Sequence, residues 1–380
     1  MSLVPSEDQQ ILKRTADDFV RSKSSLKRIR ALRDSDDPVG YSRDLWREMA
    51  ALGWVGILVP EKHGGSGLGY VDLAMVMEEL GRGLMPEPMI STALLGANAV
   101  LLGGTDRQKE EILPAVCRGD LTLALGYHEP DSRFDPRRVS ARAERSGKEW
   151  RLGGEKHLVL DGHAADRIVV SARTAGASAD AKGITLFLVD PQARGVSLVT
   201  QRLLDSRRAA IVRFDGVTVG PESVIGEVDE GGDLLEAVID LATAGLCAEM
   251  LGSMLQAFDM TLEYLRTRTQ FGVPIGSFQA LKHRAANVFT ETELARSAVL
   301  GVCRALDSND GTAADLVDVA KARCADAFLL TANEAVQMHG GIGMTDEHDI
   351  GFFLKRARAT EMIFGDAAWH RRRYAERRGY

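Results

Sequence analysis

The sequence predicts an α+β chain of three consecutive domains, helical, β and helical, on three observations. Apolar residues recur at helical intervals up to residue 120; short alternating or wholly apolar runs replace them as far as residue 228; long apolar-rich helical stretches fill the remainder. The expected domains are 1–120, 121–228 and 229–380, and 380 residues suffice for a large buried core.

In the first domain Ile11, Leu12, Phe19, Val20, Leu26, Ile29, Leu32, Leu45 and Met49 mark helices among many charges. Leu73, Ala74, Val76, Met77 and Leu80 repeat the pattern over 72–84, and 93–102 reads as an almost wholly apolar helix. Strands are expected at 121–125, 150–152, 167–171, 184–189, 197–200 and 210–214, with Gly, Asp, Pro and Ser between them. After Gly231-Gly232 come helices at 233–269, 281–306 and 313–338, the last two joined by a polar turn at 307–312. Several apolar faces on long helices with short connections predict a bundle that associates with other subunits.

Composition narrows the function. Lys+Arg 47 against Asp+Glu 54 gives a net charge of −7, which excludes a nucleic-acid footprint over the whole protein. Hydrophobic residues at 45% exclude a disordered chain. Cys117, Cys247, Cys303 and Cys324 show no C-x-x-C spacing, so no metal site or disulfide framework is expected, and reduced thiols suit a cytoplasmic protein. Residues 1–8 carry no leader pattern, and the longest apolar stretches, such as 241–248, are too short to span a bilayer. A small dissolved partner is the expectation.

Gly65-Ser66-Gly67-Leu68-Gly69 and Gly340-Gly341-Ile342-Gly343 lack the strand, spacing and following helix of a dinucleotide loop, and read as turns. In Arg268-Thr269-Gln270-Phe271-Gly272-Val273-Pro274-Ile275-Gly276-Ser277-Phe278-Gln279 a cation and an aromatic close a long helix before a Gly-x-Pro turn. Alone, that Arg reads as a helix C-cap.

Together these stretches resemble the acyl-CoA dehydrogenase family over nearly the whole chain. Pro60-Glu61-Lys62-His63-Gly64-Gly65 with Glu78-Glu79-Leu80-Gly81-Arg82 resembles its N-terminal signature; Arg268-Thr269-Gln270-Phe271-Gly272 and Gln337-Met338-His339-Gly340-Gly341-Ile342-Gly343 resemble its two C-terminal ones. The resemblance implies a helical N-terminal domain, a β-barrel-like middle domain and a C-terminal four-helix bundle. It further implies FAD as hydride acceptor, an acyl-CoA substrate, a Glu base and electron-transfer flavoprotein as the electron acceptor.

The base is where the sequence departs from the family. Counting from Arg356, the usual Glu position holds Gly365, and the alternative position, ten residues before Gly252, holds Ala242. Asp366 is the nearest candidate catalytic carboxylate, against a reading as a turn cap. Glu361 is expected to pair with Arg358, and His339 and His128 are weaker candidates, expected to be structural. Gly365→Glu is expected to create activity in the isolated chain only if a flavin ring binds despite Leu158 and Leu160.

The middle domain departs as well. His128-Glu129-Pro130 replaces Thr-Glu-Pro, and Leu158 and Leu160 stand where the family has a Trp and a Thr near the flavin, so neither side chain offers a hydrogen bond. Arg268, Phe271, Gln337 and Gly341, which in the family reach the FAD of a neighbouring subunit, are intact. This pattern is similar to the small subunits of two-gene acyl-CoA dehydrogenases, the pimeloyl-CoA dehydrogenases among them, and implies a large-subunit partner. The alternatives are a self-sufficient homotetramer using Asp366 and a non-catalytic assembly or regulatory protein. The basic end, with Arg371, Arg372, Arg373, Arg377 and Arg378, reads as a solvated helix.

Overall fold

The computed structural model describes residues 5–35 and 37–380. The absence of a leader pattern over 1–8 rests partly on residues 1–4, outside the described residues.

Helix starts follow local side-chain chemistry. Ser6 and Gln9 form a capping box that opens α1 (Glu7–Lys23), Ser25 caps α2 (Leu26–Asp34), and Ser42 caps α3 (Arg43–Ala51). In α4 (Tyr70–Arg82) every residue from Leu73 to Gly81 is buried, Glu78 and Glu79 included. The apolar stretch expected as one helix is two pieces: a π-helical segment, Met89–Gly96, runs into α5 (Ala97–Gly103). The wider π turn leaves no exposed face at all, which a 3.6-residue period cannot register. A second capping box, Thr105 with Gln108, opens α6 (Asp106–Cys117).

The strands follow: β1 (Leu123–Gly126), β2 (Arg142–Ser146), β3 (Glu149–Leu160), β4 (Arg167–Arg173), β5 (Ile184–Val189), β6 (Val196–Arg202), β7 (Arg208–Val219) and β8 (Val224–Ile225). Next come α7 (Gly231–Thr267), a hairpin of β9 (Thr269–Gln270) and β10 (Val273–Pro274), then α8 (Gln279–Asp307), α9 (Ala313–His339), α10 (Ile350–Met362) and α11 (Ala367–Arg378). Contacts gather these elements into two compact units, one comprising 1–35, 69–85 and 243–380, the other 36–68 and 86–242.

The second unit holds a sheet ordered β6-β7-β3-β2-β4-β5-β8, with β1 parallel to β4. Trp150, Leu152, Val159, Ile168, Val170, Phe187, Val212, Phe214 and Val217 meet in one buried cluster, so the sheet curls around a single core although its ladder runs openly from β6 to β8. β2 escaped the sequence reading because only Ala143 of its five residues is buried. Arg173, 1% exposed, donates to the carbonyls of Arg137, Ser178, Asp180 and Lys182 at 2.6–3.0 Å and so ties down the loop after β4.

In the first unit α4 and α7 cross on two glycines. A Cβ on Gly81 would strike the backbone of Glu249, and one on Gly252 would strike the backbone of Glu78. The Ser253 hydroxyl donates to Gly81 O at 2.8 Å across this crossing. Beside it the Arg356 guanidinium donates to Glu249 Oε1 at 2.6 Å and to Leu84 O at 3.2 Å, all buried. The basic C-terminal helix is more than the solvated end expected: α11 is stitched to α9 by Arg373 and Arg377 on Asp318, Arg378 on Asp315 and Arg371 on Asp326. Acidic residues along α9 supply partners that a reading of the terminal charge run by itself does not see.

No helix among the described residues is long and apolar enough to cross a membrane, and none of their His, Cys, Asp and Glu side chains form a group of three or more that could hold a metal.

Candidate functional site

The two C-terminal signatures meet through one tyrosine. Arg268 N donates to Tyr264 O at 2.9 Å, and the Tyr264 ring stacks on His339 with centroids 4.5 Å apart and planes at 28°. His339 Nδ1–H donates to Ala335 O at 2.7 Å, and the His348 ring lies 4.4 Å away. Burial pushes both imidazoles below their ordinary range, and His339 is itself buried, stacked on Tyr264 and bonded to Ala335 O, the setting of a packing group.

From this support the expected residues project outward. β9 and β10 pair antiparallel around Phe271 and Gly272, both at positive φ (54° and 80°), the geometry of a two-residue type I′ turn. A bulky side chain in the left-handed region costs about 1–2 kcal/mol, yet Phe271 is 91% exposed, its ring meeting Phe278 edge-on with centroids 6.0 Å apart. Arg268 and Gln337 are exposed, and neither side chain has a hydrogen-bond or ion-pair partner among the described residues. A Cβ on Gly341 would meet nothing within 4 Å, whereas one on Gly343 would lie 2.6 Å from Val336 O. Of these glycines, then, Gly343 serves helix-end packing and Gly341 leaves open surface. Tyr264 was missed in the sequence, where nothing but its position one helical turn before Arg268 distinguishes it.

At the expected base position the backbone turns through Phe364 (φ 62°) and Gly365 (φ 111°). A Cβ at 365 would lie 2.5 Å from Trp369 Cε3 and 3.1 Å from His370 Nε2. This corrects the expectation for Gly365→Glu: the turn has neither the φ nor the space for a side chain. The Asp366 carboxylate is the N-cap of α11, accepting from Trp369 N at 2.7 Å. Glu361 accepts from Arg358 at 3.3 Å, as the spacing suggested, and Ala242 is fully buried.

Beneath the turn lies Lys321, 0% exposed, which donates to Gly365 O at 2.6 Å and Glu361 O at 3.0 Å. Burial pushes its pKa down to about 8 from an ordinary 10.5. In a run of alanines, Ala320-Lys321-Ala322, it gave no sequence signal beyond a charge on an apolar face. The sign of its pH effect is fixed. Between about 8 and 10.5 the unfolded lysine holds a proton that the folded one has released, so stability rises with pH in that window. Urea unfolding of wild type and Lys321→Met across pH 7–11 is expected to show this rise in the wild type alone.

In the second unit the motif residue Glu129 is structural. Its carboxylate accepts from Lys156 Nζ at 2.5 Å, Ser140 N at 2.7 Å and Ala141 N at 3.0 Å, and the opposing Lys156 is fully buried with Ser171 Oγ at 3.1 Å. Burial lowers the His128 pKa, keeping that ring neutral. Just beyond Lys156 the β3–β7 register shifts before Val159, and Leu158 sits in this bulge at φ 49°, 47% exposed. Leu158 and the half-buried Leu160 give the bulge an apolar surface.

Comparison with known proteins is consistent along the chain. Residues 6–120, 124–217 and 229–378 match the family models "Acyl-CoA dehydrogenase, N-terminal domain", "middle domain" and "C-terminal domain". Isovaleryl-CoA dehydrogenase, mitochondrial, of Pongo abelii is 31% identical over 371 residues, 95% of this chain and 86% of that protein. Among solved structures, a variant of the Tcur3481-Tcur3483 steroid ACAD superposes with a TM-score of 0.87 at 29% identity, covering 97% of both chains. The ChsE4-ChsE5 complex from Mycobacterium tuberculosis superposes with a TM-score of 0.90 at 26% identity, covering 100% of this chain and 99% of that one.

Proposed function

The chain belongs to the acyl-CoA dehydrogenase family, and we propose that it serves FAD-dependent α,β-dehydrogenation of an acyl-CoA as the small subunit of a heteromer, lending half of a flavin site to a larger partner. One observation carries this reading: the residues matching the cross-subunit flavin contacts stand exposed and unengaged, while the turn at the base position has no room for a carboxylate.

The residues fit FAD unevenly. An unpaired Arg268 guanidinium, the Gln337 amide and the open backbone at Gly341 suit an anionic group arriving from another chain, since guanidinium pairs bidentately with phosphate oxygens. The bulge carrying Leu158 and Leu160 offers a flavin ring no side-chain donor. When bound, FAD supplies hydride acceptance; this chain's part is to bind and neutralise its phosphates. Asp366 enters as a helix cap rather than as a base. Two similar structures are named for two gene products, the ChsE4-ChsE5 complex and Tcur3481-Tcur3483, which agrees with a two-chain assembly. Electron-transfer flavoprotein is the proposed electron acceptor.

Purification of the chain alone and together with a dehydrogenase-like partner that keeps its Glu tests this. The expected result is a colourless isolated chain and a yellow complex with acyl-CoA turnover. Stoichiometric FAD with turnover in the isolated chain would overturn it in favour of a homotetramer, and no turnover in any combination would favour an assembly role. Within the complex, Arg268→Ala is expected to weaken FAD binding by about 2 kcal/mol, roughly thirtyfold, the low end for a charge pair because the guanidinium is exposed. Undiminished FAD retention measured by absorbance after gel filtration counts against the cross-subunit contact.

A further inference from the structure

The buried group at the foot of α11 is left unused by the reading above. Asp318, its side chain fully buried, accepts from His370 Nδ1 at 2.7 Å, Arg373 Nε at 2.8 Å and Arg377 Nη1 at 3.2 Å. The other ring nitrogen, His370 Nε2, lies 3.1 Å from Phe364 O. His370 itself is 1% exposed. Both ring nitrogens therefore face oxygens that can only accept.

A neutral imidazole has one N–H and one lone pair. With the proton on Nδ1, the Nε2 lone pair points at a carbonyl oxygen; with the proton on Nε2, the Nδ1 lone pair points at a carboxylate. Only the doubly protonated ring satisfies both neighbours. Burial, the largest influence, with Lys321 and Arg373, holds the ring below its ordinary range as it does His128 and His339; unlike those rings, His370 has the Asp318 carboxylate on one nitrogen and a carbonyl on the other, both favouring the second proton. Arg377 stands on the far oxygen of Asp318, and the Glu361 and Asp366 carboxylates act on Lys321 through their charge.

We propose that His370 is a positioning residue held as an imidazolium between Asp318 and Phe364, and that with Lys321 it clamps the consecutive carbonyls of Phe364 and Gly365, holding the turn in its left-handed conformation. The clamp explains how Phe364 persists at φ 62°: His370 and Lys321 both pull on the carbonyl side of the turn, from α11 and α9. Gly365 N has only a long bond, 3.5 Å to Met362 O, so the turn is held by its carbonyls and not by its amide. The Lys321 amine donates in either protonation state, so the pH-sensitive jaw is His370. This inference does not depend on the assignment of a heteromer or of FAD.

The test uses the full chain selectively labelled with ¹⁵N-histidine. The expected spectrum at neutral pH shows His370, assigned by its loss in His370→Gln, with both nitrogens protonated; one bare nitrogen overturns the proposal. Hydrogen exchange of the peptide covering the turn supplies the positioning readout. After correction for intrinsic exchange chemistry, wild-type protection is expected to fall about tenfold as pH is raised through the His370 titration. Protection in His370→Gln is expected to be lower and independent of pH. Lys321→Arg is expected to keep the wild-type profile, and Lys321→Met to lose protection at every pH. A wild-type profile flat across the His370 titration, or a His370→Gln profile identical to wild type, overturns the clamp even where Lys321→Met fails to fold.

Discussion

Gly365→Glu is expected to destabilise the chain by about 3 kcal/mol and to add no dehydrogenase activity. A left-handed conformation costs an L side chain about 1–2 kcal/mol, and forcing a Cβ into a filled space adds about 1–3 kcal/mol. Here φ is 111° and the new Cβ would lie 2.5 Å from a Trp369 ring carbon. Relief requires moving Trp369, and with it the start of α11 and its neighbour His370. Gly365→Ala carries the same two penalties without the carboxylate, so urea unfolding of both variants separates steric cost from charge. A Gly365→Glu chain that unfolds at the wild-type midpoint and turns over acyl-CoA would show that the turn can open to make a base.

Glu249→Ala is expected to cost about 3–5 kcal/mol, because it removes the charge partner of a guanidinium that stays buried. The pair is 2.6 Å apart with side chains 3% and 6% exposed. Replacing both residues, as in Glu249→Leu with Arg356→Met, is expected to recover most of the loss, since a buried pair is held chiefly against the alternative of one lone charge. Equal destabilisation in the single and double variants, measured by chemical unfolding, would instead assign the cost to packing around α7.

The elements legible in the sequence were those with one buried face or a continuous apolar run. α8 and α9 fall close to the expected bounds, and β4 and β5 lie where the apolar runs placed them, because in each a face or the whole element is buried. What was missed falls outside these patterns. β2 buries one residue, the Phe271-Gly272 turn takes its shape from two positive φ angles, and the π-helical segment starts at Met89, ahead of the helix expected from 93. The signature residues at the candidate site were legible as motifs, but their exposure was not. Nor was the support beneath them, since Tyr264 with His339, and Lys321 with Gly365, join residues 75 and 44 positions apart by sequence arithmetic. Gly365 stood out in the sequence only as a departure from the family pattern, whereas its φ of 111° and the ring of Trp369 show why a glycine stands there.

The first compact unit is assembled from three stretches of chain, the last of which begins at Thr243. On a ribosome this ordering imposes a wait. At roughly 5–20 residues per second, α4 emerges about 10–30 s before the part of α7 that crosses it at Gly252. During that interval Leu73, Val76, Met77 and Leu80, all buried in the finished protein, have not yet met the helices synthesised after residue 243. A nascent chain stalled before that point therefore displays a sticky amphipathic segment, while 86–242 is already complete enough to begin forming its sheet. Arrested chains ending near 240 should bind holdase chaperones through α4, and full-length release should discharge them.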